Sequence, residues 1–423
     1  MRLCFNTLQT QSDTIYIKWS NAQDEYTEYD KNLALEDGIE LPIDEISSFD
    51  EISIKGMTSE IKGVTFEITQ NDIDSINDWA TNVADKVSSL RVKNGITEIV
   101  GYGFRRFQKL KSVDLPESIQ SLGYEDPIFV NENSPIKINF NGTLSQWCNI
   151  NFLQRIGNII MRADDTYEPG VDLYIKNNKI QNLTTPNDIS TINPYTFAAT
   201  SIEHLRITGN VKRIGEEAFG LCTNLDTIII DEGLETMDKL VFWGCMGLKT
   251  VSLPKSLKIL DETFRDCYNL TTVNFSEGLE VLGYSTFNNC TLLDNIILPK
   301  SLKELGQLTF YYCENLSHIE IPVGVVEIPR DCFFSCTKLA QVTLPNTITV
   351  LSTSSFGTCT SLTSITLPES LTEIGSSAFY NCTSLNTINF KGTEDQWNAI
   401  TKGSDWNMNC PSDMVINYNY QDE

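Results

Sequence analysis

Apolar positions recur along this chain with a period of 23 residues, shortened once to 22. Phenylalanine marks the register at Phe219, Phe242, Phe264, Phe287, Phe310, Phe333, Phe356 and Phe379. Each is followed three residues later by cysteine, at Cys222, Cys245, Cys267, Cys290, Cys313, Cys336, Cys359 and Cys382. Leucine comes three residues further on, from Leu225 to Leu385, and Ile or Val three beyond that. A second apolar residue then follows after one outward position, and proline often closes the run, as at Pro254, Pro299, Pro322, Pro345 and Pro368. Apolar residues two apart point to one face of a short strand. Proline has no N–H to donate and ends the ladder. Glycines near the ends of units (Gly215, Gly283, Gly306, Gly375) read as tight turns.

A unit this short cannot enclose a core of its own. Stacked copies pair their strands in parallel, ~4.8 Å apart, and merge the Phe, Leu and Ile columns into one interior. Weaker copies lie upstream. One is marked by Phe197 with Ile202, Leu205 and Ile207, and another by Phe104 with Phe107 in the cysteine place. A third runs from Phe129 to Ile138 and Phe140, and Val87, Leu90, Val92, Ile96 and Ile99 fit the second half of a unit.

The unit Phe-x-x-Cys-x-x-Leu-x-x-[Ile/Val]-x-Leu-Pro-x-x-Leu-x-x-[Ile/Leu]-Gly resembles the BspA-type leucine-rich repeat of bacterial surface proteins, over about residues 87–391 with one interruption. The resemblance implies a curved solenoid without enzyme activity that binds or adheres to host or matrix proteins. The expected fold is a repeat solenoid: a β-rich, right-handed leucine-rich-repeat stack of short parallel strands, with helical Gly-Thr-x-x-Gln-Trp caps and a small α+β N-terminal region.

That cap motif occurs twice, as Phe140-Asn141-Gly142-Thr143-x-x-Gln146-Trp147 and Phe390-Lys391-Gly392-Thr393-x-x-Gln396-Trp397. Thr-x-x-Gln is a capping box that starts a helix. Trp147 and Trp397 are expected as lids over an apolar coil end, with sugar stacking as the alternative. The array then divides into first repeats over 87–140, an internal cap-like insertion over 141–178, a main array over 179–391 and a C-terminal cap over 392–423. Residues 1–86 do not repeat and form either a β-rich domain or an N-terminal cap with a possible assembly role. Strands are expected over 14–19, 52–54 and 64–68, and a helix over 71–87 capped by Asn71 or Asp72.

Charge narrows the partners. Lys and Arg total 31 against 56 Asp and Glu, a net charge of −25. Nucleic acid and bare anionic membrane are therefore disfavoured, and no run approaches the ~20 apolar residues of a membrane span. No secretory signal is seen at the N-terminus, which departs from an exported surface protein. The acidic stretch 24–51 lacks the spacing of a calcium loop and reads as solvated surface. Only two histidines are present, His204 and His318. No metal, cofactor or catalytic constellation is expected.

The cysteine column reads as packed thiols, since in-register side chains give poor bridge geometry. Cys332 and Cys336, four apart, are a minor redox candidate, while Cys4, Cys148 and Cys410 have no evident partner.

Outward strand positions form the candidate binding face. One column runs His204, Thr227, Thr250, Thr272, Asn295, His318, Gln341, Ser364, Thr387. Its companion runs Arg206, Ile229, Ser252, Asn274, Ile297, Glu320, Thr343, Thr366, Asn389. Threonine is common in strands whatever their role, so the deviations carry more information: His204 with Arg206, Ile229, Ile297, and His318 with Glu320. Both histidines occupy one repeat position about five coils apart, too far to share a metal or catalytic site. The expected function is non-enzymatic recognition of a protein or glycan on this face. The alternatives are a receptor-binding part of a larger assembly, such as a phage tail, and an intracellular protein–protein scaffold.

Overall fold

The computed structural model describes residues 89–99, 107, 110–123, 135–155 and 167–421, with backbone strands within 2–68 and at 160–161. The expected helix at 71–87 and the repeat positions Phe104 and Phe129 lie outside the described residues. The chain forms two compact units: residues 1–180 with 198–201, and residues 181–197 with 202–423.

In the first unit, strands Val64–Ile68, Ser89–Val92, Ser112–Leu115, Ile136–Phe140 and Val171–Ile175 pair in parallel, in that order. The ladder thus begins at Val64, inside the N-terminal region. Arg2–Phe5 runs antiparallel along Val64–Ile68, and Ile39–Glu40 antiparallel along Arg2–Phe5. An antiparallel strand on the first rung covers an edge that would otherwise invite another chain to pair. Thr14–Lys18, Thr27–Asp30 and Ser53–Lys55 form a separate antiparallel sheet. The N-terminal region therefore supplies both an end strand and a small sheet of its own.

In the second unit the coils contribute main strands, save the coil of residues 294–298, and strands such as His204–Ile207, Thr227–Ile230 and Thr250–Ser252 pair in register with the next coil. A second, two-residue strand follows in each coil. Arg213–Ile214 pairs with Thr236–Met237, and Glu327–Ile328 with Val350–Leu351. Two residues are too few to show a strand alternation, so the repeat pattern alone gives no sign of this second ladder.

The interior is a set of columns. Nine phenylalanines from Phe197 to Phe379 stack with ring centroids 5.3–5.7 Å apart and near-parallel planes. Offset stacking of this kind adds to the burial of each ring. Beside it, each cysteine thiol donates to the carbonyl of the previous coil's phenylalanine: Cys222 to Phe197, Cys290 to Phe264, Cys382 to Phe356, all at 3.1–3.2 Å. Cysteine is thus a donor here as well as a small apolar residue. Serine or alanine would supply only one of those properties.

The backbone beside these columns twice enters the left-handed region in each coil, two residues before and two after the phenylalanine. Asp331 and Ser335 (φ 54° and 61°) flank Phe333, and Ser354 and Thr358 (φ 55° and 61°) flank Phe356. A non-glycine residue held there costs roughly 1–2 kcal/mol. The return is a hydrogen-bond ladder: Asp331, Phe333 and Ser335 N–H donate to Thr353, Ser355 and Gly357 carbonyls of the next coil. Gly215 opens the expected tight turn, its carbonyl accepting from Ala218 N–H at 3.2 Å, without entering the left-handed region. It is small because the previous coil lies against it: a Cβ would sit 2.5 Å from Pro194 N.

Candidate functional site

All fourteen candidate face residues of the second unit, His204, Arg206, Thr227, Ile229, Thr250, Ser252, Thr272, Asn274, Asn295, Ile297, His318, Glu320, Gln341 and Thr343, are exposed. The intervening residues (Leu205, Ile228, Val251, Val273, Ile296, Ile319, Val342) are buried. Parallel register sets each outward residue beside its counterpart: His204 by Thr227, Thr227 by Thr250, Thr250 by Thr272, and His318 by Gln341. Asn182 and Thr184 extend the same two columns at the start of this unit.

The charged end of the face is internally paired. His204 Nδ1 lies 2.8 Å from Asp226 Oδ1, and Arg206 Nη2 lies 3.2 Å from Asp231 Oδ2. These groups are about half exposed, so the pairs contribute little to stability. His204 and His318 stand in separate ladders with four coils' strands or segments between them. Among the described residues, no cluster of His, Cys, Asp or Glu is arranged to hold a metal ion.

The main-strand ladder breaks in two places, between Gln341–Thr343 and Ser364–Leu367 and at the coil of residues 294–298. Thr272–Asn274 ends one ladder, and residues 294–298 form only an isolated bridge, Asn295 with His318. The phenylalanine stack passes this point unbroken (Phe264–Phe287 5.7 Å, Phe287–Phe310 5.7 Å), as does the second ladder (Val281 with Glu304). The opening is therefore confined to the strand face. Ile297 stands 85% exposed on the open coil. An open hollow of about 730 Å³ lies on one side, lined by Thr272, Asn274, Asp294, Asn295, Asn315 and Ile297. A second hollow of about 520 Å³ lies on the other, between Ile297 and the His318–Val323 segment. Val323, 71% exposed, extends the apolar rim.

The sequence pattern placed Asn274, Asn295 and Ile297 on the face but missed Asp294 and Asn315, which lie outside the two outward columns. One local signal marks the place: Phe275-Ser276 stands where the neighbouring coils carry Leu253-Pro254 and Leu298-Pro299. Phe275 turns its ring edge-to-face onto Phe287, with centroids 6.1 Å apart.

The two cap motifs are closed to ligands. Thr143 and Thr393 each form a full capping box with Gln146 and Gln396, starting helices Leu144–Cys148 and Glu394–Ala399. Trp147 is wholly buried between Phe140 and Phe152, with centroids 5.4 and 5.2 Å away. Trp397 packs on Phe390 and Trp406, and Lys402 Nζ lies 4.6 Å over its ring. Neither indole offers a free face to a sugar. The motif's glycine is explained by the same packing, because a Cβ at Gly142 or Gly392 would enter the ring of Phe140 or Phe390.

The Cys4 side chain lies outside the described residues, and the redox candidates Cys332 and Cys336 are poorly placed for redox chemistry. Cys332 and Cys336 are free and buried. Burial first, and neighbouring thiols second, push both well above the ordinary cysteine range. The thiolate is the reactive form. Cys410, which showed no partner in the sequence, donates to Phe379 O over 3.2 Å and is the ninth member of the column.

These are the features of a leucine-rich-repeat solenoid: in-register parallel strands, one strand face exposed, and an interior of repeated columns. The BspA-type leucine-rich repeat family model matches residues 44–160, 172–271 and 258–386, in six copies. The chain belongs to that family. Among solved structures, a leucine-rich repeat protein from Bacteroides ovatus is 22% identical, with a TM-score of 0.50, covering 87% of this chain and 95% of its own. One from Eubacterium ventriosum is 20% identical, with a TM-score of 0.55, covering 82% and 90%. At these identities the likeness is one of fold. No curated protein matches the sequence.

Proposed function

We propose that this chain is a non-enzymatic recognition scaffold that engages a partner on a cell or matrix surface through the strand face of its second unit. One observation carries the reading. The two outward columns are exposed from His204 to Thr343 while every residue between them is buried, so the face can vary without disturbing the interior. Repeat proteins use extended faces of this kind for binding. Among the described residues no helix is long and apolar enough to cross a membrane, and the proposal needs none. The family's bacterial surface proteins set the kind of partner, and the net charge of −25 disfavours polyanions.

The test is binding of the labelled full chain to immobilised extracellular-matrix proteins and to fixed animal cells. The face-blocked variant carries Thr250→Arg, Thr272→Arg and Thr343→Arg. Loss of binding at unchanged thermal stability supports the reading, and undiminished binding overturns it.

A further inference from the structure

We propose that the hollow between strand Thr272–Asn274 and residues 294–297 is a binding site for a neutral saccharide. The proposal deepens the strand-face reading, on which it rests, by assigning one place on the face and one ligand class.

The backbone there is left open. At neighbouring junctions Leu253 N–H donates to Asn274 O (3.0 Å), Thr272 N–H to Lys249 O (3.2 Å) and Ile321 N–H to Thr343 O (2.9 Å). No backbone hydrogen bond joins residues 271–275 to 294–298. The Phe275 N–H and the Ile297 carbonyl therefore lack the bond that Leu253 N–H makes to Asn274 O and Ile321 N–H to Thr343 O. Such groups are normally paired within a strand ladder. Here a ligand with both donors and acceptors can meet them.

The side chains around the opening are already held in place. Asn274 Nδ2 donates to Ser252 Oγ at 3.1 Å. Asp294 accepts from Ser317 Oγ at 2.8 Å and from Asn295 Nδ2 at 3.3 Å. Lys338 Nζ donates to Asn315 Oδ1, which turns that residue's amide nitrogen away from the lysine. Groups fixed before binding lose less freedom when the ligand arrives.

The chemistry of the lining selects the ligand class. One carboxylate, several amides and the Thr271 and Thr272 hydroxyls offer acceptors and donors together, and no basic residue lines the hollow. Sugar hydroxyls donate to a carboxylate and accept from an amide. Leu292 (41% exposed) and Ile297 offer an apolar wall to the C–H face of a pyranose ring. With no cation in the lining and a chain charge of −25, sialylated or sulfated glycans would be repelled. The volume of about 730 Å³ lies within the ~300–1,000 Å³ of small-ligand sites.

The test places the full chain on an array of neutral glycans terminating in galactose, mannose or N-acetylglucosamine, with sialylated and sulfated glycans as the anionic arm. The expected result is binding in the neutral arm only, weakened about tenfold or more by Asp294→Asn and Asn274→Ala and unchanged by Thr236→Ala, which lies on a second strand away from the face. Hydrogen exchange on the wild-type chain is independent of variant folding: the bound neutral glycan should slow exchange at the Phe275 and Asn295 amides. A blank neutral arm, a preference for the anionic arm, binding indifferent to Asp294→Asn, or unchanged exchange at those amides would each overturn the assignment. If the neutral arm is blank while the triple-arginine variant still loses surface binding, the saccharide site falls and the strand-face reading stands.

Discussion

The thiol of Cys410 donates to the carbonyl oxygen of Phe379 over 3.2 Å, the bond that Cys382 makes to Phe356 one coil earlier at 3.1 Å. Cys410 lies 28 residues after Cys382 instead of 23, because helix Glu394–Ala399 is inserted between them. The column thus survives a change of spacing, and the segment after the helix is a further coil. Its phenylalanine position is vacated, and Trp406 meets Phe379 edge-to-face at 6.2 Å instead.

Replacing Cys290 tests the thiol's two roles. Cys290→Ala removes the donor to Phe264 O and leaves a small void, and should cost about 1–2 kcal/mol. Cys290→Ser keeps a donor at the same carbonyl but buries a more polar group, and should also destabilise. Urea unfolding of both variants checks this. Stability equal to wild type for Cys290→Ala would show that the S–H···O bond contributes nothing.

The buried thiols predict alkaline sensitivity. Burial raises Cys245, Cys290, Cys336 and Cys359 well above the ordinary cysteine range, and pushes Cys410 up to about 12. A thiol raised in the folded state ionises first in the unfolded state. Its contribution is therefore intact below the unfolded value of about 8.5 and declines above it, by up to ~1.4 kcal/mol per pH unit per thiol. The melting temperature should be flat from about pH 7 to 8 and fall steadily above about pH 9. A Cys245→Ala, Cys290→Ala pair should flatten that fall, whatever its starting stability. Native thiols should also resist alkylation at pH 8, since the reactive thiolate is suppressed.

The phenyl stack predicts where the second unit loses cooperativity. Phe287→Ala removes a ring packed between Phe264 and Phe310 and should cost about 3–5 kcal/mol. Because repeats couple to their neighbours, the unfolding curve should split into two transitions. A single transition, merely shifted, would argue that the coils are not coupled through this column.

The C-terminal coil predicts a graded cap. Thr393→Ala loses the capping box to Gln396 and should cost about 1 kcal/mol. Trp406→Ala uncovers both Phe379 and Trp397 and should cost more. Limited proteolysis gives a second readout: Trp406→Ala should speed cleavage after the Glu394–Ala399 helix, and Thr393→Ala less so.

Much of this architecture was legible in the sequence because a 23-residue period repeats identical residues at identical burial. Phe, Cys, Leu and Ile/Val at fixed intervals specify which side chains face inward, and period-two alternation specifies which face outward. The second ladder was not legible, since pairs such as Arg213–Ile214 and Val350–Leu351 are too short to alternate. Nor was Cys410, whose spacing is altered by the helix before it. Asp294 and Asn315 reach the hollow only because residues 294–298 do not join the strand ladder. Whether two strands pair is decided by packing between coils, and a periodic pattern does not carry that information.

The most direct measurement is an arginine scan of two exposed faces against the same surface-binding assay. One set lies on the main strands: Thr227→Arg, Thr250→Arg, Thr272→Arg and Gln341→Arg. The other lies on the second strands, at the exposed Thr236 and Glu373. The account predicts losses of about tenfold or more (~1.4 kcal/mol) for main-strand positions, largest at Thr272 beside the open coil, and none at Thr236→Arg or Glu373→Arg. Equal losses on both faces, or losses confined to Thr236→Arg and Glu373→Arg, would contradict it.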